Sequence, residues 1–362
     1  MPRLSCLFLL LCSSLALGAE RWPSPQWPVQ LADSTAAQAL QAYAFPARDD
    51  RTRTGIRSDA LLVVRDGVIV HEAYAGATEA STPHLIWSAS KSLFACVLAR
   101  AADQGLLRLD DPLARHYAPM QKHPQVRIRD VLNWASGLDW QEEYEFAPLR
   151  SSVVAMLYTR GRADMGAFAA DHPQLHAPGT HFRYSSGDSN LLAAMLRERL
   201  GERHADYPWQ ALFEPLGIRS ATWERDASGS FIASSYVYLT ARDLARIGLL
   251  MQRDGRWGEA QLLPADWVRF MRTPFVGEGV SPGGGVPGGH WWLNRTPAAQ
   301  PRPWPDAPED TFAALGHWGQ GLYVMPSEGL VVVRYADDRE PGFDANRLLA
   351  LARAAYGRQA QP

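Results

Sequence analysis

Lysine is nearly absent from this chain. Lysine and arginine together number 36 among 362 residues, and only Lys91 and Lys122 are lysines. Arginine keeps its proton in proteins, so it can supply a charge but cannot act as a base, whereas a lysine can lose its proton. The two positions that retain an amine are therefore the first candidates for proton transfer.

Cysteine and one-sided charge are also scarce. The chain has three cysteines, Cys6, Cys12 and Cys96, and a formal net charge of −2. A near-neutral balance provides no basic surface for nucleic acid and no polybasic patch for membranes. With 46% hydrophobic and 20% charged residues, the composition is ordinary for a soluble globular protein, and the length allows one large or two interleaved domains.

The first residues have the pattern of a secretory signal. Arg3 precedes an apolar run from Leu4 to Leu17, which ends in small residues. Such a run is too short to remain as a membrane span. We expect residues 1–19 to be a signal peptide and the mature protein to be periplasmic, with no stable membrane span. Cys96 is then alone, and we expect it to be a buried apolar residue without a disulfide.

The segment Ser88-Ala-Ser-Lys91 places a hydroxyl and an amine one helical turn apart. Residues at i and i+3 share a helix face, so the amine can reach the hydroxyl. A desolvated, neutral lysine can take the serine proton and so activate a nucleophile without a histidine. S-x-x-K is the nucleophile motif of penicillin-binding proteins and class A β-lactamases. Taken alone, the segment fits a surface lysine on an amphipathic helix equally well.

Two later stretches could complete acyl transfer, which needs a proton relay and donors for an oxyanion. Tyr184 follows the turn Pro178-Gly179 and can relay a proton if neighbouring cations lower its pKa. The alternative is a tyrosine packed on the core. The stretch Gly316-His-Trp-Gly-Gln320 opens a strand, where a glycine lets the backbone approach a substrate and a strand amide can donate to the oxyanion.

Other motifs are absent or uninformative. The string G-x-S-x-G occurs at residues 279–283, but in a Gly/Pro-rich stretch with no strand-to-helix pattern, so it does not indicate a nucleophile elbow; there is no H-E-x-x-H zinc motif. The acidic and aromatic segment from Asp139 to Tyr144 could line the cleft, but its composition favours a solvated loop.

Strand patterns lie at both ends of the chain, with helical patterns between them. Residues 60–64 and 68–72 flank the tight-turn pair Asp66-Gly67 and predict a hairpin, and four strands are predicted between Gly289 and Arg334. Because a lone hairpin cannot bury its apolar face, the two ends are predicted to form one antiparallel sheet. The predicted fold is α+β. Residues 20–115 and 286–362 form the sheet domain with flanking helices, residues 116–285 form an inserted, mainly helical domain, and the active site lies in the cleft between them.

Four blocks of the chain, residues 87–92, 105–112, 127–138 and 178–190, resemble successive blocks of the β-lactamase-related serine hydrolases. Residues 184–190 and 316–320 are most similar to the 6-aminohexanoate-dimer hydrolase branch of that group. The resemblance implies the β-lactamase/transpeptidase-like fold. It also implies that Ser88 is the acylated nucleophile, that Lys91 is its general base, and that Tyr184 protonates the leaving group and activates the deacylating water.

The resemblance further implies an oxyanion hole formed by the backbone amides of Ser88 and Gln320, and no metal or organic cofactor. It gives substrate-binding roles to Ser186, His317, Trp318 and Gly319. Ser186 stands where lactamases have Asn, and His317 stands where they have Lys and would carry a weaker, pH-dependent charge. These two departures weaken the case for efficient β-lactam hydrolysis.

The sequence therefore predicts a serine hydrolase that cleaves a small-molecule amide, an ester or a short peptide, with no nucleic-acid partner. One alternative is a D,D-carboxypeptidase or weak β-lactamase that acts on cell-wall peptides or β-lactams. The other is a binding protein that keeps the fold without turnover.

Overall fold

The structure is a computed structural model that describes residues 20–23, 25–145, 147–281, 285–296, 301–340 and 342–358. The predicted signal peptide, with Cys6 and Cys12, lies outside the described residues. Among the described residues, no helix is both long enough and apolar enough to cross a membrane.

Twelve strands are formed within the described ranges. They are β1 (Ser58–Arg65), β2 (Val68–Tyr74), β3 (His84–Leu85), β4 (Thr222–Trp223), β5 (Val237–Leu239), β6 (Arg256–Trp257), β7 (Ala260–Gln261), β8 (Val286–Gly288), β9 (Trp291–Leu293), β10 (Phe312–Gly316), β11 (Gln320–Met325) and β12 (Leu330–Ala336).

Ten α-helices accompany the strands in the same part of the chain. They are α1 (Thr35–Ala44), α2 (Ala89–Asp103), α3 (Ile128–Leu132), α4 (Ser152–Tyr158), α5 (Met165–Ala170), α6 (Ser186–Leu200), α7 (Glu214–Leu216), α8 (Ala241–Gln252), α9 (Ala265–Met271) and α10 (Ala345–Tyr356). Short 3₁₀ turns and one π-helical turn, Trp209–Phe213, connect them.

The main sheet joins the two ends of the chain, as predicted. Its seven strands follow the order β2-β1-β12-β11-β10-β9-β8, and every neighbouring pair is antiparallel. The first hairpin turns at Asp66-Gly67, where both residues have positive φ, 46° and 83°. Such a turn has the twist of the strands that it joins, and for this reason Asp-Gly is favoured there.

Helices cover both faces of this sheet, and the strands accordingly alternate between two cores. Leu61 and Val63 of β1 pack with α1 and α10, whereas Leu62 and Val64 join the larger core that contains α2 and α8. An antiparallel sheet that is covered on both faces reads as a continuous apolar run, and this is the pattern of β1.

The helical middle shares the larger core, and α2 runs through it. Twelve of the fifteen residues of α2 are buried, including Leu93, Phe94 and Cys96. Burial raises the pKa of the Cys96 thiol to about 12, so this cysteine is an apolar filler as predicted. Helix α6 begins at Ser186, three residues earlier than its apolar pattern indicates, because the Ser185 side chain caps it by accepting a hydrogen bond from the amide of Asp188 at 2.9 Å.

Candidate active site

A cavity of about 560 Å³ opens at the start of α2, between strands β9 and β10 and the helical middle. This volume suits a small organic ligand. Its lining combines one nucleophile, two carboxylates and a wall of rings: Trp87, Ser88, Glu142, Tyr144, Glu145, Tyr158, Tyr184, Trp292, Leu315, Gly316, His317 and Trp318.

Ser88 stands at the N-cap of α2 but does not cap it. Serine is a preferred capping residue, yet the backbone of Ser88 is already helical (φ −65°, ψ −12°) and its side chain makes no cap hydrogen bond. The hydroxyl instead accepts a hydrogen bond from Lys91 Nζ at 2.9 Å. The helix thus presents the Ser88 oxygen to the cavity, and the pair predicted from the sequence is in contact.

Lys91 is a buried amine with little to hold its charge. Its side chain is 1% exposed, and within the described part of the chain it donates, besides Ser88, only to the carbonyl of Ser234, at 2.9 Å. Burial lowers the pKa of Lys91 from 10.5 to about 8, and the charge of Glu142 opposes that shift only in part. A substantial neutral fraction therefore exists near physiological pH, and a neutral amine at 2.9 Å can take the Ser88 proton.

The backbone beside the nucleophile is held in an unfavourable conformation. Trp87 has φ 49° and Trp318, across the cavity, has φ 57°, although neither residue is glycine. The two indole rings meet edge to face with centroids 5.2 Å apart. Non-glycine residues in this region cost free energy and tend to occur at functional sites. The contact between the two rings therefore holds the main chain just before Ser88 against the main chain of Trp318 across the cavity.

Tyr184 lies beside Ser88 and Lys91, but as a neutral phenol. Lys91 Nζ is 4.9 Å from the centre of the Tyr184 ring, and the Ser88 side chain is near enough to act on the pKa of the phenol. Burial and the nearby charge of Glu142 raise the pKa of Tyr184 well above its ordinary value of 10. The condition that neighbouring cations lower this pKa is therefore not met, because burial raises it most and the charge of Glu142 raises it further. Tyr184 can donate or pass on a proton, and it does not start as a phenolate.

The segment that follows Asp139 is part of the cavity wall, so the prediction of a solvated loop was wrong. Tyr144 stacks on His317 with ring centroids 5.7 Å apart, and Glu145 Oε1 lies 3.4 Å from His317 Nε2. Glu142 points into the same cavity. These contacts join the helical middle to the β10–β11 turn across the mouth of the site.

Ser186 is fully buried and is held by Glu142. Its hydroxyl donates to Glu142 Oε1 at 2.5 Å, and its backbone amide donates to Glu142 Oε2 at 2.8 Å. The indole of Trp140 donates to the same carboxylate at 2.6 Å. Ser186 therefore anchors Glu142, and its own hydroxyl is turned away from the cavity lining.

The β10–β11 turn contributes its side chains unequally. His317 and Trp318 line the cavity. Gly319 instead lies against Arg334, whose guanidinium donates to the Gly319 carbonyl at 3.2 Å, and the Gln320 side chain is bound to the main chain of Ala336. Burial lowers the pKa of His317, so the protonated fraction of this side chain at neutral pH is smaller than that of a histidine with its ordinary pKa. The assignment of the Gln320 amide to the oxyanion stays a prediction.

Gly316 explains how the end of β10 comes so close to Ser88. A Cβ at this position would collide with the carbonyl oxygen of Ile86, two residues before Ser88. Only a glycine allows the end of β10 to pack directly against the start of α2. The two elements that the sequence singled out are therefore in backbone contact.

A second cavity lies at the opposite end of the hairpin and is larger, about 840 Å³. Its charged lining is Glu20, Arg21, Arg65, Asp66, Arg253 and Arg358. No serine, cysteine, histidine or lysine is among its described lining residues. It has no group for acyl transfer, and we assign the chemistry to the smaller cavity.

Sequence reasoning missed several members of the site. Ser234 acts through a backbone carbonyl, which leaves no signal in the sequence. Tyr158, at the end of α4, and Trp292, on β9, belong to elements whose patterns describe packing rather than chemistry. The acidic and aromatic composition of residues 139–144 was the one available signal for Glu142 and Tyr144.

Comparison with known proteins gives a consistent picture. The family model for beta-lactamases matches residues 35–356 of this chain. A 6-aminohexanoate-dimer hydrolase from Paenarthrobacter ureafaciens is 24% identical over 320 residues, which cover 82% of this chain and 78% of that protein. A D-aminopeptidase from Brucella canis is 30% identical over 179 residues, which cover 45% of this chain and 32% of that protein. A penicillin-binding protein from Bacillus halodurans has a similar fold, with a TM-score of 0.64 at 18% identity over 83% of this chain and 97% of that one.

Proposed function

The chain belongs to the beta-lactamase family, and on that premise we propose that it is a serine hydrolase that cleaves amide or ester bonds through an acyl group on Ser88. The observation that carries the proposal is the buried Lys91 amine, 2.9 Å from the Ser88 oxygen, with a pKa lowered to about 8. A positioned base with a pKa near the working pH is what general-base catalysis requires.

The proposed reaction begins with proton transfer from Ser88 to neutral Lys91. The Ser88 oxygen forms a bond to the carbonyl carbon, and the resulting oxyanion accepts hydrogen bonds from the amides of Ser88 and Gln320. The leaving group departs with a proton from the neutral phenol of Tyr184, which regains one from the Lys91 ammonium. Water then attacks the acyl group, gives up its proton along the same path, and releases the acid and free Ser88.

The relatives support an amide or ester as the substrate class. They are named as an aminohexanoate-dimer hydrolase and a D-aminopeptidase. We further propose that residues 1–19 direct the enzyme to the periplasm, in line with their sequence pattern.

Two rivals fit the cavity less well. A D,D-carboxypeptidase or weak β-lactamase acts on substrates that carry a carboxylate, and it needs a group that holds this carboxylate. Here the lining carries Glu142 and Glu145, and the pKa of His317 is lowered. A binding protein has no need for an amine held against a serine hydroxyl, so the contact between Lys91 and Ser88 favours turnover.

Labelling with a fluorophosphonate, followed by mass spectrometry of the peptides, tests the proposal. We expect the adduct on Ser88, and hydrolysis of 4-nitrophenyl acetate to be lost in both Ser88→Ala and Lys91→Ala. Lys122→Ala is the matched control, because the second lysine is exposed and pairs with Asp171 at 2.6 Å, away from the cavity. Absence of the adduct, or hydrolysis that survives both substitutions, would refute the mechanism.

A further inference from the structure

The larger cavity, at the turn of the β1–β2 hairpin, has an excess of positive charge. Its described lining has four guanidinium groups from four separate segments of the chain: Arg21, Arg65, Arg253 and Arg358. The two carboxylates of that lining are already paired. A fifth arginine, Arg256, lies 3.0 Å from Glu20, and Asp66 is shared between Arg358 at 3.3 Å and Arg65 at 3.9 Å. Five arginines thus face two carboxylates, although the whole chain has a formal net charge of −2.

Arg253 is a half-buried cation that has no acceptor within the described part of the chain. Its guanidinium lies 3.9 Å from the centre of the Trp22 ring, and Nη1 is buried without a hydrogen-bond partner. Arg253 directly follows α8, yet its side chain does not bind the last carbonyls of that helix, as a capping arginine would. Burial lowers the pKa of Arg253, and the charges of Glu20 and Asp66 oppose this shift only in part.

The neighbouring residue repeats the pattern. Gln252 also lines the cavity, and its Nε2 atom is buried with no hydrogen-bond partner among the described residues. Buried donors are normally paired, and an unpaired one costs free energy. Two adjacent side chains therefore present donors at the same cavity without acceptors. A ligand that brings acceptor oxygens and negative charge would satisfy both.

The chemistry of guanidinium groups favours phosphate as that ligand. A guanidinium binds two oxygens of a phosphoryl group side by side, and a multiply charged phosphate has oxygens left for further arginines. Arg21 is exposed and has no ion pair with another described residue, so its donors are available as well. The volume of about 840 Å³ admits a phosphate together with an organic group.

We propose that this cavity is a binding site for a multiply charged phosphate, in which Arg253 and Arg21 bind the phosphoryl oxygens and Arg65 and Arg358 add positive charge. The phosphate could belong to a free organic molecule or to a lipid headgroup. No described residue lines both this cavity and the one that contains Ser88. The inference is therefore independent of the proposed hydrolase function.

Isothermal titration calorimetry with sodium pyrophosphate tests the site, at an ionic strength fixed with sodium chloride. We expect one binding site per chain and a Kd that rises with added salt. Arg253→Gln should raise the Kd by about 10- to 100-fold, because hydrogen bonds between charged groups are lost. Arg21→Gln should raise it less, because Arg21 is exposed.

Two further variants separate binding from a structural role of the arginines. Asp66→Asn removes the carboxylate that competes with the ligand for Arg65 and Arg358, and it should lower the Kd. Asparagine tolerates the positive φ of 46° at this position. Arg295→Gln is the matched control, because Arg295 is exposed and pairs with Glu309 at 2.6 Å, away from this cavity. Its Kd should equal that of the wild type.

Cosedimentation with vesicles distinguishes the two sources of phosphate. Binding to phosphatidylcholine vesicles that contain phosphatidic acid, but not to pure phosphatidylcholine, would identify a lipid headgroup if Arg253→Gln abolishes it. Binding of pyrophosphate alone would identify a free ligand. The urea midpoint shows which variants are folded, and Arg21→Gln and Asp66→Asn keep the test valid if Arg253→Gln is not. Absence of binding to both probes, or a Kd that none of these three substitutions changes, would overturn the inference.

Discussion

The pH dependence of acylation gives the most direct test of Lys91 as the base. With a pKa of about 8 in the folded protein, about one Lys91 in eleven is neutral at pH 7 and about ten in eleven at pH 9. If the neutral amine takes the Ser88 proton, kcat/KM rises about tenfold over this interval, with its midpoint near pH 8. Hexanoyl 4-nitroanilide is the suitable substrate because it has no titrating group of its own.

Charges near Lys91 provide internal controls for this profile. The carboxylate of Glu142 raises the pKa of Lys91, so Glu142→Gln should move the midpoint to lower pH, whereas Asp139→Asn should not. Asp188, buried below the site, has a pKa raised to about 7 and could add a second step. Asp188→Asn removes that step and should leave the midpoint near 8. A flat profile from pH 7 to 9, or a midpoint that rises in Glu142→Gln, would refute the assignment.

Three further predictions concern single residues. Lys91→Met should abolish hydrolysis. It should also raise the free energy of unfolding at pH 7 by about 1–2 kcal/mol, measured by urea denaturation. The reason is that burial of the amine costs about 3 kcal/mol, and the Ser234 carbonyl, which loses its hydrogen bond in the variant, cancels part of the gain. The pKa of Lys91 is lower in the folded state than its ordinary 10.5. The free energy of unfolding of the wild type should therefore rise between pH 8 and 10.5, and that of Lys91→Met should not. A Lys91→Met variant that is less stable than the wild type would contradict the cost assigned to burying the amine. Tyr184→Phe should keep the ring contact with Trp134, whose centroid is 4.8 Å away, and lower kcat by about 10²–10⁴-fold, while fluorophosphonate still labels Ser88; unchanged kcat would exclude the proton relay. Gly316→Ala should force β10 away from the Ile86 carbonyl, destabilise the protein by about 1–3 kcal/mol and lower kcat/KM, and full activity would contradict the close approach.

The sheet was predictable from the sequence because its determinants are local. Alternating and continuous apolar runs mark β1 and β12, and the Asp66-Gly67 pair fixes the first turn. Helix α10, Ala345–Tyr356, has a local determinant of the same kind, since the side chain of Asp344 accepts a hydrogen bond from the Asn346 amide at its start. In the helical middle, α3, α4 and α5 span five to seven residues each, too few turns for an apolar period to define their ends.

The sequence predicted the candidate site only where reactive side chains lie at a fixed spacing along the chain. Ser88 and Lys91 share one turn of a helix, so local geometry brings them together. The segment that holds Glu142 has no such period, and its place in the cavity wall is set by contacts with Ser186 and His317, which are distant in the sequence. The direction of the Tyr184 pKa shift was unpredictable for the same reason, since it is set first by burial and then by Glu142, and neither follows from the residues next to Tyr184 in the sequence.

The pairing of β1 with β12 has a consequence for the newly made chain. A polypeptide that has left the ribosome only as far as β9 already carries Ser88, Lys91 and Tyr184, but β10, β11 and β12 are still to come. Neither the β1–β12 pair nor the β10–β11 pair can form at that stage, and the Gln320 amide has not been made. If Ser88 is the nucleophile as proposed, hydrolysis should appear only after the last strands have been made, and its onset would report the closing of the sheet.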